Sequence, residues 1–303
     1  MAKNGSASEH LILDGKLCNG IQSVSFDISP VETSQSLIGG DESKFIATSP
    51  PRITAKVNKL LLNQDFITGL KDFKDSQGQA TGFSGMLIYG DQNMSFRSGV
   101  LDGFSVTAST NDIPEISYDF TIYDALTGFS LSYMDEGDPF NDNDVRIFGN
   151  VTVPLSQASA DSPKDIIPIT GVNVTFDKTG IATGRGGLNV IESFSYTETY
   201  SYDVQYGIGV TGAPISIKMI DPIVQTASIT IQAEDYVFED NYRAFTSNNV
   251  TDRNIALEIN GTGGSVNAFE LSGASLINES ISTQVGEVVS ATLQYKGHKR
   301  VND

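Results

Sequence analysis

The chain has 303 residues, with 37 acidic against 19 basic side chains and a formal net charge of −18. That length suffices for two domains with full cores. The charge excludes simple nucleic-acid binding through phosphates, which needs Lys and Arg to neutralise them. A single cysteine, Cys18, excludes an intrachain disulfide, and no apolar run approaches the about 18 residues of a membrane span.

The stretch from Met1 to Leu13 is polar and lacks the apolar core of a secretory signal, so a reducing cytoplasm is the expected folding compartment. Asn-x-Ser/Thr triplets begin at Asn4, Asn93, Asn150, Asn173, Asn249, Asn260 and Asn278. Without a signal they read as chance products of a chain rich in Asn, Ser and Thr.

In chain order, the first long apolar segment is Lys56 to Phe73, with Val57, Leu60, Leu61, Phe66, Ile67 and Leu70. It fits a helix, or a strand followed by a short helix. Ile116–Ile122 then alternates apolar and polar residues, as a half-buried strand does. The acidic run from Asp135 to Asp144 opens a stretch, 131–189, read as an insertion or linker. Its strand-like pieces are Val145–Val153 and Val172–Phe176, followed by the Gly-rich Gly180–Gly187. It is a candidate β-arm reaching a neighbouring subunit. From Phe194 the apolar positions are Phe194, Tyr196, Tyr200, Tyr202 and Val204, an aromatic inner face, and Ala227–Ala233 alternates likewise. Asp235 to Phe245 is a second candidate short helix.

Similar segments recur at nearly one spacing. Ile21–Phe26 (IQSVSF) matches Ile191–Tyr196 (IESFSY), 170 positions on. Leu101–Ser105 (LDGFS) matches Leu271–Ser275 (LSGAS), also at 170. Pro51 faces Pro222 at 171, and the segment ending at Tyr123 faces the one ending at Tyr295 at 172. The expected architecture is mainly β: two tandem domains, 1–130 and 190–303, each a sandwich or barrel with one short helix, joined by 131–189. A duplicated unit points to assembly, in which one chain fills two equivalent places in a ring.

Chemical motifs are sparse. Gly184–Gly187 and Gly261–Gly264 lack the Lys-Ser/Thr ending of a phosphate loop and read as hairpin turns. Asp138, Asp142 and Asp144 resemble the start of a Ca²⁺ loop, but the required Gly and the closing Glu are missing, so a solvated acidic loop is expected. His10 and His298 are the only histidines, too few for a His-based triad or a multi-His metal site. Cys18 follows Leu17 and reads as a small buried residue. Lys296–Arg300 is basic against an acidic background. It is either a frayed terminus or a partner for an acidic patch on a neighbour. No catalytic, cofactor or metal-binding residue is assigned, and the chain is not expected to be an enzyme.

The opening, Leu11-Ile12-Leu13-Asp14-Gly15-Lys16-Leu17-Cys18-Asn19-Gly20-Ile21-Gln22-Ser23-Val24, resembles the strand–turn–strand start of tailed-phage tail proteins. The stretch from Ile191 through Tyr206-Gly207-Ile208-Gly209 to Ile220-Asp221-Pro222 resembles an aromatic strand, Gly turn and long loop in phage tube-like proteins. Together these resemble the tail tube (major tail) proteins of long-tailed phages, in a form with two tube domains in tandem. The resemblance covers most of the two repeats but not 131–189. It implies a structural virion protein made in the host cytoplasm, and a homotrimer with pseudo-sixfold symmetry. Its rings would stack into a channel, with partners limited to itself, neighbouring tail proteins and DNA in transit. The channel-facing strands would include Ile116–Tyr123 and Val288–Tyr295. The alternatives are another tail ring (neck, terminator or baseplate), and a surface or carbohydrate-binding β-sandwich module.

Overall fold

Alternating runs of Ser, Thr, Val, Ile, Tyr and Phe suit a pleated surface with one face buried, and they form strands here. The computed structural model describes residues 9–14, 16–33, 47–61, 67, 82–89, 92–109, 112–123, 127–130, 145–148, 151–154, 172–176, 190–206, 214–233, 253–261, 264–282 and 289–300. The early strands are β1 (Glu9–Leu13), β2 (Lys16–Cys18), β3 (Ile21–Thr33), β4 (Ala47–Leu60), β5 (Phe83–Tyr89), β6 (Gln92–Ser109), β7 (Glu115–Ile122) and β8 (Thr127–Ser130). Then come β9 (Val145–Phe148), β10 (Val151–Pro154), β11 (Val172–Phe176), β12 (Val190–Gln205), β13 (Ser216–Ala233), β14 (Arg253–Gly261), β15 (Gly264–Ser282) and β16 (Val289–Lys299). One antiparallel sheet holds fourteen of them, and β9 and β10 form a separate hairpin.

The helical reading of Lys56 to Phe73 gives way to a strand. β4 runs through Leu60, and the Leu61 amide then donates to the Pro114 carbonyl at 2.8 Å. Beyond it only Ile67 is described, in 3₁₀ geometry. The second candidate helix, 235–245, lies outside the described residues.

Strand order is the same in the two halves. The first runs β1-β5-β6-β7-β4-β3, and the second runs β11-β14-β15-β16-β13-β12. Breaks in register also recur. On β3 they fall at Ile21/Ser23 and Ser29/Val31; on β12 they fall at Ile191/Ser193 and Thr199/Ser201, each 170 positions later. The Phe83/Gly85 break between β5 and β6 returns as Arg253/Ile255 between β14 and β15. The Leu101/Gly103 break between β6 and β7 returns as Leu276/Asn278 between β15 and β16.

Register corrects two of the sequence matches. Leu101 stands opposite Phe120 as Leu276 stands opposite Tyr295, so Leu101 answers to Leu276 and Phe120 to Tyr295, both 175 positions on. The LDGFS–LSGAS match and the Tyr123–Tyr295 match are therefore out of structural register. The proline match keeps its spacing: Ser49 opposite Val31 answers to Ile220 opposite Ser201, at 171. Part of 131–189 also proves integral to the second half, because β11 pairs along β14, Val174 opposite Leu257. That strand pairs within its own chain; apart from it and the β9–β10 hairpin, the stretch lies outside the described residues.

The core lies on one face. A buried row crosses seven strands through Lys59, Ile116, Val106, Tyr196, Ala227, Tyr295 and Leu276. The sheet curls, because Phe269 of β15 brings its ring to 5.2 Å from Tyr196, three strands away in the order. Phe269 also lies 6.1 Å from Phe104. Tilted aromatic contacts of this kind add about 0.5–1.5 kcal/mol each beyond burial.

Candidate assembly surfaces

The halves meet through backbone pairing. β12 lies antiparallel to the second half of β6, from Ser193 opposite Ser109 to Thr199 opposite Gly103. Gly103 is needed there, since a Cβ at this position would run into the Glu198 carbonyl oxygen. The Tyr202 hydroxyl fastens the same joint, donating to the Leu101 carbonyl at 2.7 Å.

Beneath the joint sits a buried polar cluster. Glu198 accepts from the Tyr196 and Tyr200 hydroxyls, each at 2.7 Å, and from Gln225 Nε2 at 3.3 Å. Gln225 Nε2 also donates to the Tyr196 hydroxyl oxygen at 2.8 Å. Alternation places these side chains: Tyr196, Glu198 and Tyr200 sit two apart on one strand and share its inner face. Burial pushes all three hydroxyls, Tyr196, Tyr200 and Tyr202, well above the ordinary tyrosine range; the Glu198 charge adds to this at the first two, and Asp102 at the third. The phenols stay protonated and serve as donors. No substrate-facing acid or base results, because the cluster is sealed in the core.

Across β3, β4, β7, β12, β13 and β16 the opposite face is mostly polar, with Leu60 and Val224 among its apolar members, whereas on β1, β5 and the start of β6 it buries Ile12, Met86 and Val100. One row runs Ser23, Asn58, Ser117, Ser105 and continues across the joint as Thr197, Thr226, Lys296, Ser275. The repeat image of its first four members is Ser193, Thr230, Thr292 and Ser280, all hydroxyls, with Thr230 standing where the first half has Asn58. Cross-strand contacts order this face: Asn58 Nδ2 donates to Ser23 Oγ at 2.8 Å, and the Thr230 and Thr292 hydroxyls lie 3.2 Å apart. Exposed charges on this face are of both signs, among them Asp27, Glu115, Asp119 and Asp203 beside Lys56, Lys218 and Lys296. A groove of about 810 Å³ crosses it at the joint, lined by Thr107, Ser109, Ser193, Ser195 and Thr230 among others. Ser109 Oγ donates to Asp112 at 2.9 Å there.

The residues singled out by sequence are scattered. His10 is half-buried on β1, and burial lowers its pKa. His298 is exposed on β16, with β13, β12, β6 and β5 between the two strands. Cys18 is buried in the core cluster with Leu11 and Leu13. Gly261 pairs with Gly264 to close the β14–β15 hairpin. Asp138, Asp142, Asp144 and Gly184–Gly187 lie outside the described residues. The C-terminal basic run does not fray: Lys296 to Lys299 pair with Thr226 to Ile223 of β13. Among the described residues, no group of three or more His, Cys, Asp or Glu is placed to hold a metal ion. No helix among them is long and apolar enough to cross a membrane. The β6–β12 joint and the Tyr–Glu–Gln cluster were not foreseen from sequence; the only signal was the aromatic alternation of β12 interrupted by Glu198.

No protein-family model and no curated protein sequence matches this chain.

Proposed function

We propose that this chain is a structural, non-enzymatic virion protein that assembles into the tail tube of a long-tailed phage. In this reading residues 1–130 and 190–303 are two tandem tube domains, with β11 lent to the second by the intervening stretch. Three chains form a ring with pseudo-sixfold symmetry, rings stack, and DNA passes through the channel. The observation that carries the reading is the recurrence of one six-strand order and its register breaks, with the two copies joined edge to edge through β6 and β12. Units that join edge to edge inside a chain form a pattern that further copies can extend until it closes, which removes exposed strand edges.

The polar face suits a channel wall. Hydroxyls hydrogen-bond to water, and a set of charges of mixed sign gives a sliding polyanion little to hold. The acidic net charge of the chain opposes adhesion further. In this reading β7 and β16, which sit inside the two halves of the sheet, are among the channel-facing strands.

The test is negative-stain electron microscopy across a concentration series, with mass determination of the soluble species. Hollow tubes, or trimeric rings with a six-lobed outline and a central channel, are expected. Rings that never stack, even with tail-initiation partners present, would transfer the reading to a neck, terminator or baseplate ring. Monomers under all these conditions would overturn it.

A further inference from the structure

The internal joint has a repeat image that one chain leaves incomplete. β12 pairs with β13 on one side and with β6 on the other. Its counterpart β3 pairs with β4, and among the described residues has no strand on its other side. β6 beyond Gly103 lies between β7 and β12. Its counterpart, β15 beyond Asn278, pairs with β16, and among the described residues has no strand on its other side.

Side chains at these two edges match the joint in kind and differ in exposure. Val106 is 0% exposed in the joint, whereas its counterpart Ile281 is 38% exposed. Tyr196 is 1% exposed, whereas its counterpart Phe26 is only half-buried. Ile28, the counterpart of buried Glu198, is 54% exposed. Phe104 and Glu198, opposite each other in the joint, correspond by repeat position to Glu279 and Ile28 at the two edges: one apolar and one acidic residue, with sides exchanged. Exposed isoleucines on an uncovered strand edge are what a soluble chain avoids unless something pairs with them.

We infer that β3 of one chain pairs antiparallel with the end of β15 of a second copy, in the register Ser25–Ser282, Phe26–Ile281, Asp27–Ser280 and Ile28–Glu279. The register is the β6–β12 register carried over by the repeat spacing of 170 on β3 and 175 on β15. Phe26, beside Ala55, and Ile281, beside Ala291, extend the core face, while Ser25, Ser282, Asp27 and Ser280 extend the opposite face. Asn278 stands where the joint has Gly103, and its side chain ends the described seam at Glu279. The contact is head-to-tail, so copies add in one direction until the ring closes. The seam rests on the ring reading above, and its test separates the two.

The test is disulfide trapping on non-reducing gels with the full chain, over a concentration series up to its solubility limit. S25C/S282C is expected to give interchain-linked species stopping at three chains, while S25C/S280C, two residues out of register, gives none. Cys18 alone is buried and provides the background. F26R, a change at a half-exposed edge, is expected to abolish the linked species in the S25C/S282C background while the circular dichroism melt stays within about 2 °C of the parent. If S25C/S282C remains unlinked, or the out-of-register pair links equally well, the seam is overturned. Hollow tubes seen without this link would overturn the seam and keep the tube reading. A linked series that closes at another number, or linked rings that never stack, would keep the seam and overturn the trimeric tube.

Discussion

Glu198 is the residue on which the joint's interior turns. It is buried with three donors aimed at it, so its removal takes the acceptor from two buried phenolic hydroxyls, while the Gln225 amide keeps its bond to Tyr196. Hydrogen bonds to a charged group contribute about 1.5–3 kcal/mol each, and orphaned buried donors are costly in their own right. Glu198→Ala is expected to lower unfolding free energy by about 3–5 kcal/mol, and Tyr200→Phe by about 1–2 kcal/mol, read as shifts in the urea midpoint. The same cluster sets an alkaline limit. The tyrosine hydroxyls ionise less readily folded than unfolded, where the ordinary value is 10.0. Their contribution is therefore complete below pH 10 and is lost as pH rises above it. Circular dichroism across pH 8 to 12 should show stability falling from about pH 10, and Tyr200→Phe should reduce that slope.

Among the elements, β6 carries the most partners, pairing with β5, β7, β8 and β12. Gly103 lets β12 approach it. Gly103→Val is expected to cost about 3 kcal/mol or more, since the obstacle is a backbone oxygen that cannot rotate away; a thermal melt would show it as a lower or divided transition. Alternation made several strands legible in the sequence. The runs at Ile116–Ile122, Val172–Phe176, Phe194–Val204 and Ala227–Ala233 all lie in strands β7, β11, β12 and β13. Pairing was harder to read, because period two assigns a face and says nothing of the neighbour across the gap. The repeat spacing also drifts, from 170 on β3 to 175 on β6 and β7, because the second half has a longer hairpin: Gly85 faces Phe96, whereas its counterpart Ile255 faces Leu271. A short motif such as LDGFS can then find a chance match at the wrong spacing. Lys59 shows another limit: a buried lysine in a strand face reads locally as a surface residue or a helix position.

For the whole molecule, the polar face makes a prediction independent of shape. In about 50 mM salt the protein should not retard duplex DNA in a gel, despite the groove at the joint. Replacing Ser105, Thr107 and Ser195 with Lys should create retention that weakens steeply as salt rises. Retention by the parent chain would count against a slippery wall. The joint between the halves has one more consequence. A covalent tether holds its two strands at an effective concentration of order millimolar or above, whereas the proposed seam forms only by encounter. A ring built this way has alternating permanent and releasable contacts. The two kinds can then diverge: one selected for strength, the other for timing, so that the assembly opens only at every second contact and always into whole chains.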